Sequence, residues 1–121
     1  MQTPTTLVLG ASPNPERYSF LATNLLKEKG YTVYPFGIKK GQIGDLAIIN
    51  EWPKQGTIDT VTLYVGAAGQ VEYYQAIIEL APRRIIFNPG TENPVLQSLA
   101  TEKGIDTIEA CTLVMLKTGQ Y

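Results

Sequence analysis

The chain has 121 residues, 44 % of them apolar, and 11 acidic against 10 basic side chains give it a net charge of −1. That length supports one domain with its own core, and the charge balance removes any bulk attraction to nucleic acid or to an anionic membrane. With no histidine and one cysteine, Cys111, the chain lacks Ser-His and Cys-His nucleophile pairs, histidine metal ligands and an internal disulfide.

The expectation is a single domain over residues 1–121, in the reducing cytoplasm. Met1 to Thr6 shows no basic n-region and no apolar h-region, so no signal peptide is read there. No apolar stretch approaches the ~20 residues of a membrane span.

Thr6-Leu7-Val8-Leu9 is short and apolar, which predicts a central parallel strand. The turn cluster Gly10-Ala11-Ser12-Pro13-Asn14-Pro15 ends it. Ser19 to Lys29 reads as a helix with Phe20, Leu21, Leu25 and Leu26 on one side and Gly30 as its cap. Tyr31 to Pro35 is the second strand. From Gly37 to Thr57 the periodicity fails, and Leu46 to Trp52 reads as a short strand or a helical turn.

Thr60 to Val65 is the third strand. Val71, Tyr74, Ile77, Ile78 and Ala81 are spaced for a helix that stops at Pro82. Arg84 to Phe87 is the fourth strand, followed by the turn Asn88-Pro89-Gly90. Asn93-Pro94 is an N-cap with proline at the first helical position, and Val95, Leu96, Leu99 and Ala100 form the apolar stripe. Ile105 to Ile108 is the fifth strand. Leu113-Val114-Met115-Leu116 reads as a last short helix. Its four consecutive apolar residues cannot all meet one core, so a homodimer through this end is expected.

Alternating strands and helices with short links predict an α/β, Rossmann-like, doubly wound parallel five-stranded sheet with helices on both faces. Ligands of such sheets bind beyond the strand carboxyl ends, where the strand order reverses. This singles out the loops at 10–18, 36–43, 65–69, 88–91 and 109–112.

In the first loop, Gly10-Ala11-Ser12 opens a strand-to-helix turn suited to a phosphate, although G-x-G-x-x-G is absent. Arg17 offers a bidentate contact to a pyrophosphate. Ser12, Tyr18 and Ser19 add hydroxyls, with Ser19 read as a helix N-cap on the plain structural view. After the second strand an NAD site would place a carboxylate. Here Phe36-Gly37-Ile38 leads to Lys39 and Lys40, which suit a ribose carrying a phosphate, as in CoA or NADP. A solvated lysine pair is the plain alternative.

Gly10-Ala11-Ser12 with Arg17, the Gly30-Tyr31-x-Val33-x-Pro35 strand, Ile58-Asp59 before the third strand and Cys111 after the fifth resemble the small stand-alone CoA-binding proteins. These are related to the nucleotide-binding domain that opens the succinyl-CoA synthetase α subunit. The resemblance runs from about Thr6 to Thr112 and implies a Rossmann-like CoA-binding domain with no established enzymatic activity. It implies that Gly10, Ala11, Ser12 and Arg17 meet the CoA phosphates and that Lys39 and Lys40 lie near the adenosine phosphate. Val65, Gly66, Asn88, Pro89, Gly90 and Cys111 would line the cleft towards the pantetheine arm. The chain departs from the family pattern where many relatives have an arginine after the third strand and one beside the late cysteine. Here stand Tyr64-Val65-Gly66 and Glu109-Ala110-Cys111.

The reading is therefore non-catalytic binding of CoA or an acyl-CoA, with no metal. The alternatives are an interaction or regulatory module that keeps the fold without the ligand, and an NADP-dependent enzyme. The enzyme is disfavoured by the missing glycine fingerprint and the small chain.

Overall fold

The computed structural model describes residues 4–121. Five strands form one parallel sheet: β1 (Thr5–Leu9), β2 (Thr32–Phe36), β5 (Thr60–Leu63), β6 (Arg84–Phe87) and β7 (Asp106–Glu109), in the order β2-β1-β5-β6-β7. All four pairings are parallel, and the register places Val8 beside Pro35 on one side and Thr62 on the other. The central strands are buried on both faces, as the short apolar runs predict. The order reverses between β1 and β5, because the chain leaves β1 for one edge and returns to build towards the other.

Alternate side chains define two cores. Leu7, Leu9, Leu63, Ile85 and Phe87 face one layer, where α3 (Tyr74–Leu80) packs beside α4 (Pro94–Glu102). Val8 faces the other, where α1 (Tyr18–Glu28) packs on α5 (Thr112–Lys117). The stripe of α1 that meets the sheet is Ser19, Ala22, Thr23 and Leu26. This corrects the apolar side expected from the sequence, since Leu21 is exposed. Small residues at i, i+3 and i+4 let the helix approach the sheet closely.

The irregular segment after β2 holds a two-residue hairpin, β3 (Gln42–Ile43) with β4 (Leu46–Ala47), in place of a crossover helix. Ile43 and Ile48 join the α1 core, and Lys27 on α1 pairs with Asp45 in the hairpin turn. The chain then wraps round the β2 edge, where Ile49 bridges Phe36, before Trp52 and Ile58 join the opposite core.

Between β5 and β6 the single expected helix is divided. A short α2 (Ala67–Gln70) and a 3-10 turn (Val71–Tyr73) precede α3. Val71, expected in the core, is exposed, and the buried positions are Gln70, Ile77 and Leu80. At α5, Leu116 joins the Val8 core, Met115 is buried, Leu113 is half-buried and Val114 faces outward.

Candidate functional site

A cleft of about 660 Å³ opens over the carboxyl ends of β1 and β5, at the reversal of strand order. That volume falls in the usual range of small-molecule sites. Its floor is Leu9, Gly10 and Ala11 at the end of β1 with Tyr64 and Val65 at the end of β5. Gly10 is required there. Its φ is +101°, and a Cβ would sit 2.9 Å from the Val65 Cγ2 atom.

The first loop divides its donors unexpectedly. The Gly10 and Ala11 N–H groups both donate to the Phe36 carbonyl, at 3.0 and 2.9 Å. They are spent on joining the β1 and β2 loops, and this corrects their expected role as phosphate donors. Gly37 belongs to the same junction, because a Cβ there would run into the Ala11 carbonyl oxygen. The amides left without a backbone partner lie instead at the start of α1. The residue before the helix is Arg17, extended at φ −81° and ψ 141° and making no side-chain cap. This corrects the reading of Ser19 as N-cap, for Ser19 is the second helical residue and is buried. The first-turn N–H groups of Tyr18 and Ser19 have no carbonyl of their own helix to meet. They lie with Ser12 and the exposed Arg17 along the cleft. Helix dipole, free amides and guanidinium thus converge on one place suited to a phosphate.

One side wall is the loop after β2. Phe36, Ile38 and Lys39 line it. Lys40 does not, because the chain turns away at Gly41, which packs on Pro13. The opposite wall is Gly69, Glu72 and Tyr73 on α2 and the turn after it, with Pro89, Gly90 and Thr91 completing the rim. Gln70 locks this wall from beneath. Its amide donates to the carbonyls of Val65 at 2.7 Å and Thr91 at 2.8 Å, and its Oε1 accepts from Asn93 Nδ2. Asn93 also caps α4 by accepting from Val95 and Leu96 N–H, as its spacing predicts.

Asn88 and Cys111 do not line the cleft. Asn88 is buried, donating to Thr62 Oγ1 at 2.7 Å and to the Leu63 carbonyl at 2.9 Å. Its Oδ1 accepts from the Thr112 N–H at 2.8 Å. It therefore fastens the start of α5 to the sheet. Cys111, half-buried, is the residue before α5 and makes no side-chain cap. Tyr64 stands on the cleft floor, but its hydroxyl is buried and has no hydrogen-bond partner. Burial pushes this phenol up to about 12, although the Thr112 and Thr62 hydroxyls nearby temper the shift.

Gly69 and Thr91 end two of the loops singled out from the sequence, whereas Glu72 and Tyr73 lie outside them. Helical spacing placed Tyr73 on a regular helix, whereas the 3-10 turn brings it to the wall. The pair Gly66 and Gly69 directly after β5 was the available signal, since glycine there permits close approach. No helix among the described residues is long and apolar enough to cross a membrane.

The family model for the CoA binding domain matches residues 4–117. The chain belongs to that CoA-binding domain family. A crystal structure of an uncharacterized protein is 45 % identical over 100 % of both chains, with a TM-score of 0.94. A hypothetical protein from Pyrococcus horikoshii OT3 is 26 % identical, covering 96 % of this chain and 82 % of its own, with a TM-score of 0.83. The structure of cell-free ID.343 from Thermus thermophilus shares the fold at 19 % identity, a TM-score of 0.85, and coverage of 99 % and 92 %. No curated protein matches the chain.

Proposed function

We propose that the protein binds CoA or an acyl-CoA in the cleft between β1 and β5 without transforming it. One observation carries this reading: the α1 N-terminus and Arg17 converge on a cleft at the strand-order reversal of a CoA-binding family domain. Arg17 and the first amides of α1 would hold the pyrophosphate. Lys39, on the loop after β2, would face the ribose phosphate, while Lys40 stays in solvent. Val65 and Tyr73 would offer apolar surface to the rest of the ligand.

The chemistry of the lining supports binding over catalysis. A general base works best with a pKa near the working pH. The chain has no histidine, and the phenol of Tyr64 is held near 12 with its oxygen buried. Self-association through the outward Val114 side of α5 belongs to the same reading. Sedimentation that finds only monomer at high concentration removes that part.

Calorimetry and thermal shift with CoA, acetyl-CoA, dephospho-CoA, NADP and NAD test the proposal. A ligand at 100 times its Kd stabilises the fold by about 2.7 kcal/mol. CoA and acetyl-CoA should bind, with no product after long incubation. No stabilisation at millimolar concentration would overturn the proposal in favour of an interaction module.

A further inference from the structure

The two side walls of the cleft come from separate parts of the chain. One is the loop after β2, and the other is the turn after α2. Strand pairing joins neither to the other. A short segment outside the cleft touches both. Asn50 Nδ2 donates to the Gly37 carbonyl at 2.6 Å and, more weakly, to the Lys39 carbonyl at 3.4 Å. Two residues on, the Trp52 ring stacks on Tyr73, with centroids 5.6 Å apart and an interplanar angle of 17°. Phe36 meets both rings edge-on, at 5.1 Å from Trp52 and 6.0 Å from Tyr73.

The segment is itself anchored along β2. The Gly37 N–H donates to the Ile49 carbonyl, the Ile49 N–H donates to the Pro35 carbonyl, and the Tyr34 hydroxyl donates to the Glu51 carbonyl at 2.7 Å. Ile49 thus makes a single parallel bridge on the β2 edge, and the Tyr34 hydroxyl ties Glu51 to the same edge. The hairpin that replaces a crossover helix delivers them there.

We propose that residues 50–52 are a brace that fixes the two walls of the cleft relative to each other, with Asn50 and Trp52 as positioning residues for the ligand. The ligand part of this proposal rests on the reading of the cleft as a CoA-type site. Asn50 holds the backbone of the loop that carries Lys39, and Trp52 holds the ring of Tyr73. Each acts through a group on the wall. A loop of glycines and lysines such as Gly37–Gly41 samples many conformations unless its carbonyls are tied. A preorganised wall spares the ligand that ordering cost.

The test pairs amide hydrogen exchange on the free protein with CoA titration, in Asn50→Ala, Asn50→Asp and Trp52→Leu. Amides of β1 and β5 report global stability. Asn50→Ala should speed exchange at the Gly37 and Ile49 amides, which are bonded along the β2 edge, and Trp52→Leu across residues 71–74, by about tenfold more than in those two strands. Asn50→Asp keeps the shape and removes the donor, so it should act as Asn50→Ala does. CoA affinity should fall about tenfold in each variant.

Exchange that changes uniformly over the whole chain, or in neither wall, overturns the brace. Wild-type behaviour of Asn50→Asp overturns the role of donation. CoA affinity unchanged in all three variants overturns the link to the ligand. A wild type that binds no CoA sinks the functional reading instead, and the exchange pattern then decides the brace alone.

Discussion

Replacing Tyr64 by phenylalanine should make the protein more stable, by a pH-dependent amount. The Tyr64 hydroxyl is buried and makes no hydrogen bond, while the nearby Thr62 and Thr112 hydroxyls bond each other at 2.8 Å and Thr62 also accepts from Asn88. An unsatisfied buried hydroxyl costs about 1–3 kcal/mol, while phenylalanine keeps the ring packing. At neutral pH the variant should gain about 1 kcal/mol, or roughly 3–6 °C in Tm for a domain of this size. Burial raises the Tyr64 pKa from 10.0 to about 12 in the folded state. A raised pKa favours the fold fully below the unfolded value and loses that contribution as pH climbs towards the folded one. Two units correspond to about 2.7 kcal/mol, removed between pH 10 and pH 12. Tyr64→Phe should lack this part of the alkaline decline, and urea melts of both proteins at pH 8, 10, 11 and 12 measure the difference. CoA affinity should be unchanged, since the hydroxyl offers no atom to the ligand. A variant less stable at neutral pH would mean that the hydroxyl is paired after all. Superimposable alkaline arms would refute burial as the cause of the shift.

Arg17→Ala should weaken CoA binding by about 1.5–3 kcal/mol, the worth of a charge-assisted contact, and leave Tm nearly unchanged because Arg17 is exposed and caps nothing. Equal affinity in calorimetry would reduce it to a surface charge. Lys39→Ala should narrow the preference for CoA over dephospho-CoA, by on the order of 1 kcal/mol at low salt, while Lys40→Ala should not. The same loss from both variants would show that the loop moves on binding. Asp59 is raised by partial burial but lowered more by the Arg83 and Thr60 hydrogen bonds and the Arg83 and Arg84 charges, so its net pKa falls below the ordinary value. A depressed folded pKa adds stability above the unfolded value and loses it as pH drops through the folded one, so Asp59→Asn should flatten the acid arm of stability below about pH 4. An unaltered acid arm in denaturant melts would show that other carboxylates set it.

The fold was readable because its signals are local and mutually consistent. Five short apolar runs separated by glycine and proline turns admit few arrangements besides a parallel sheet with right-handed crossovers. Asn93-Pro94 marked the start of α4, and Gly30 the end of α1. What stayed hidden depends on tertiary contacts. The segment 37–57 has no period because its residues serve three surfaces in turn, the α1 core, the β2 edge and the opposite core. The helix after β5 is interrupted because Gln70 is held by carbonyls of two loops. Asn88 looked like a cleft residue from its place in a turn after a strand. Only the register of β6 beside β5 reveals that its side chain reaches Thr62 and Thr112. Lys39 and Lys40 are identical in type and adjacent, so nothing in the sequence separates them. The turn at Gly41 does.

The absence of G-x-G-x-x-G acquires a structural reason from the Phe36 carbonyl. In the dinucleotide fingerprint, one glycine lets the loop backbone approach the pyrophosphate. Here the Gly10 and Ala11 N–H groups turn inward to a single acceptor on β2, so the loop backbone is bonded to protein and not offered to a ligand. Glycines further along the loop would then serve no approach. The following positions carry Pro13 and Pro15, which give up donors and stiffen the turn. Ser12 Oγ and Asn14 Oδ1 accept the Asn14 and Glu16 N–H groups of the same turn. Within this loop the glycine that the geometry requires is Gly10, at the close approach of β1 to Val65. In the proposed site the groups suited to an anion lie instead at Arg17 and the first amides of α1. A side-chain guanidinium would then take over work that backbone N–H groups do in the fingerprint. Affinity for a pyrophosphate in this cleft should therefore depend on one removable side chain, where a glycine-rich loop would be insensitive to any single side-chain truncation.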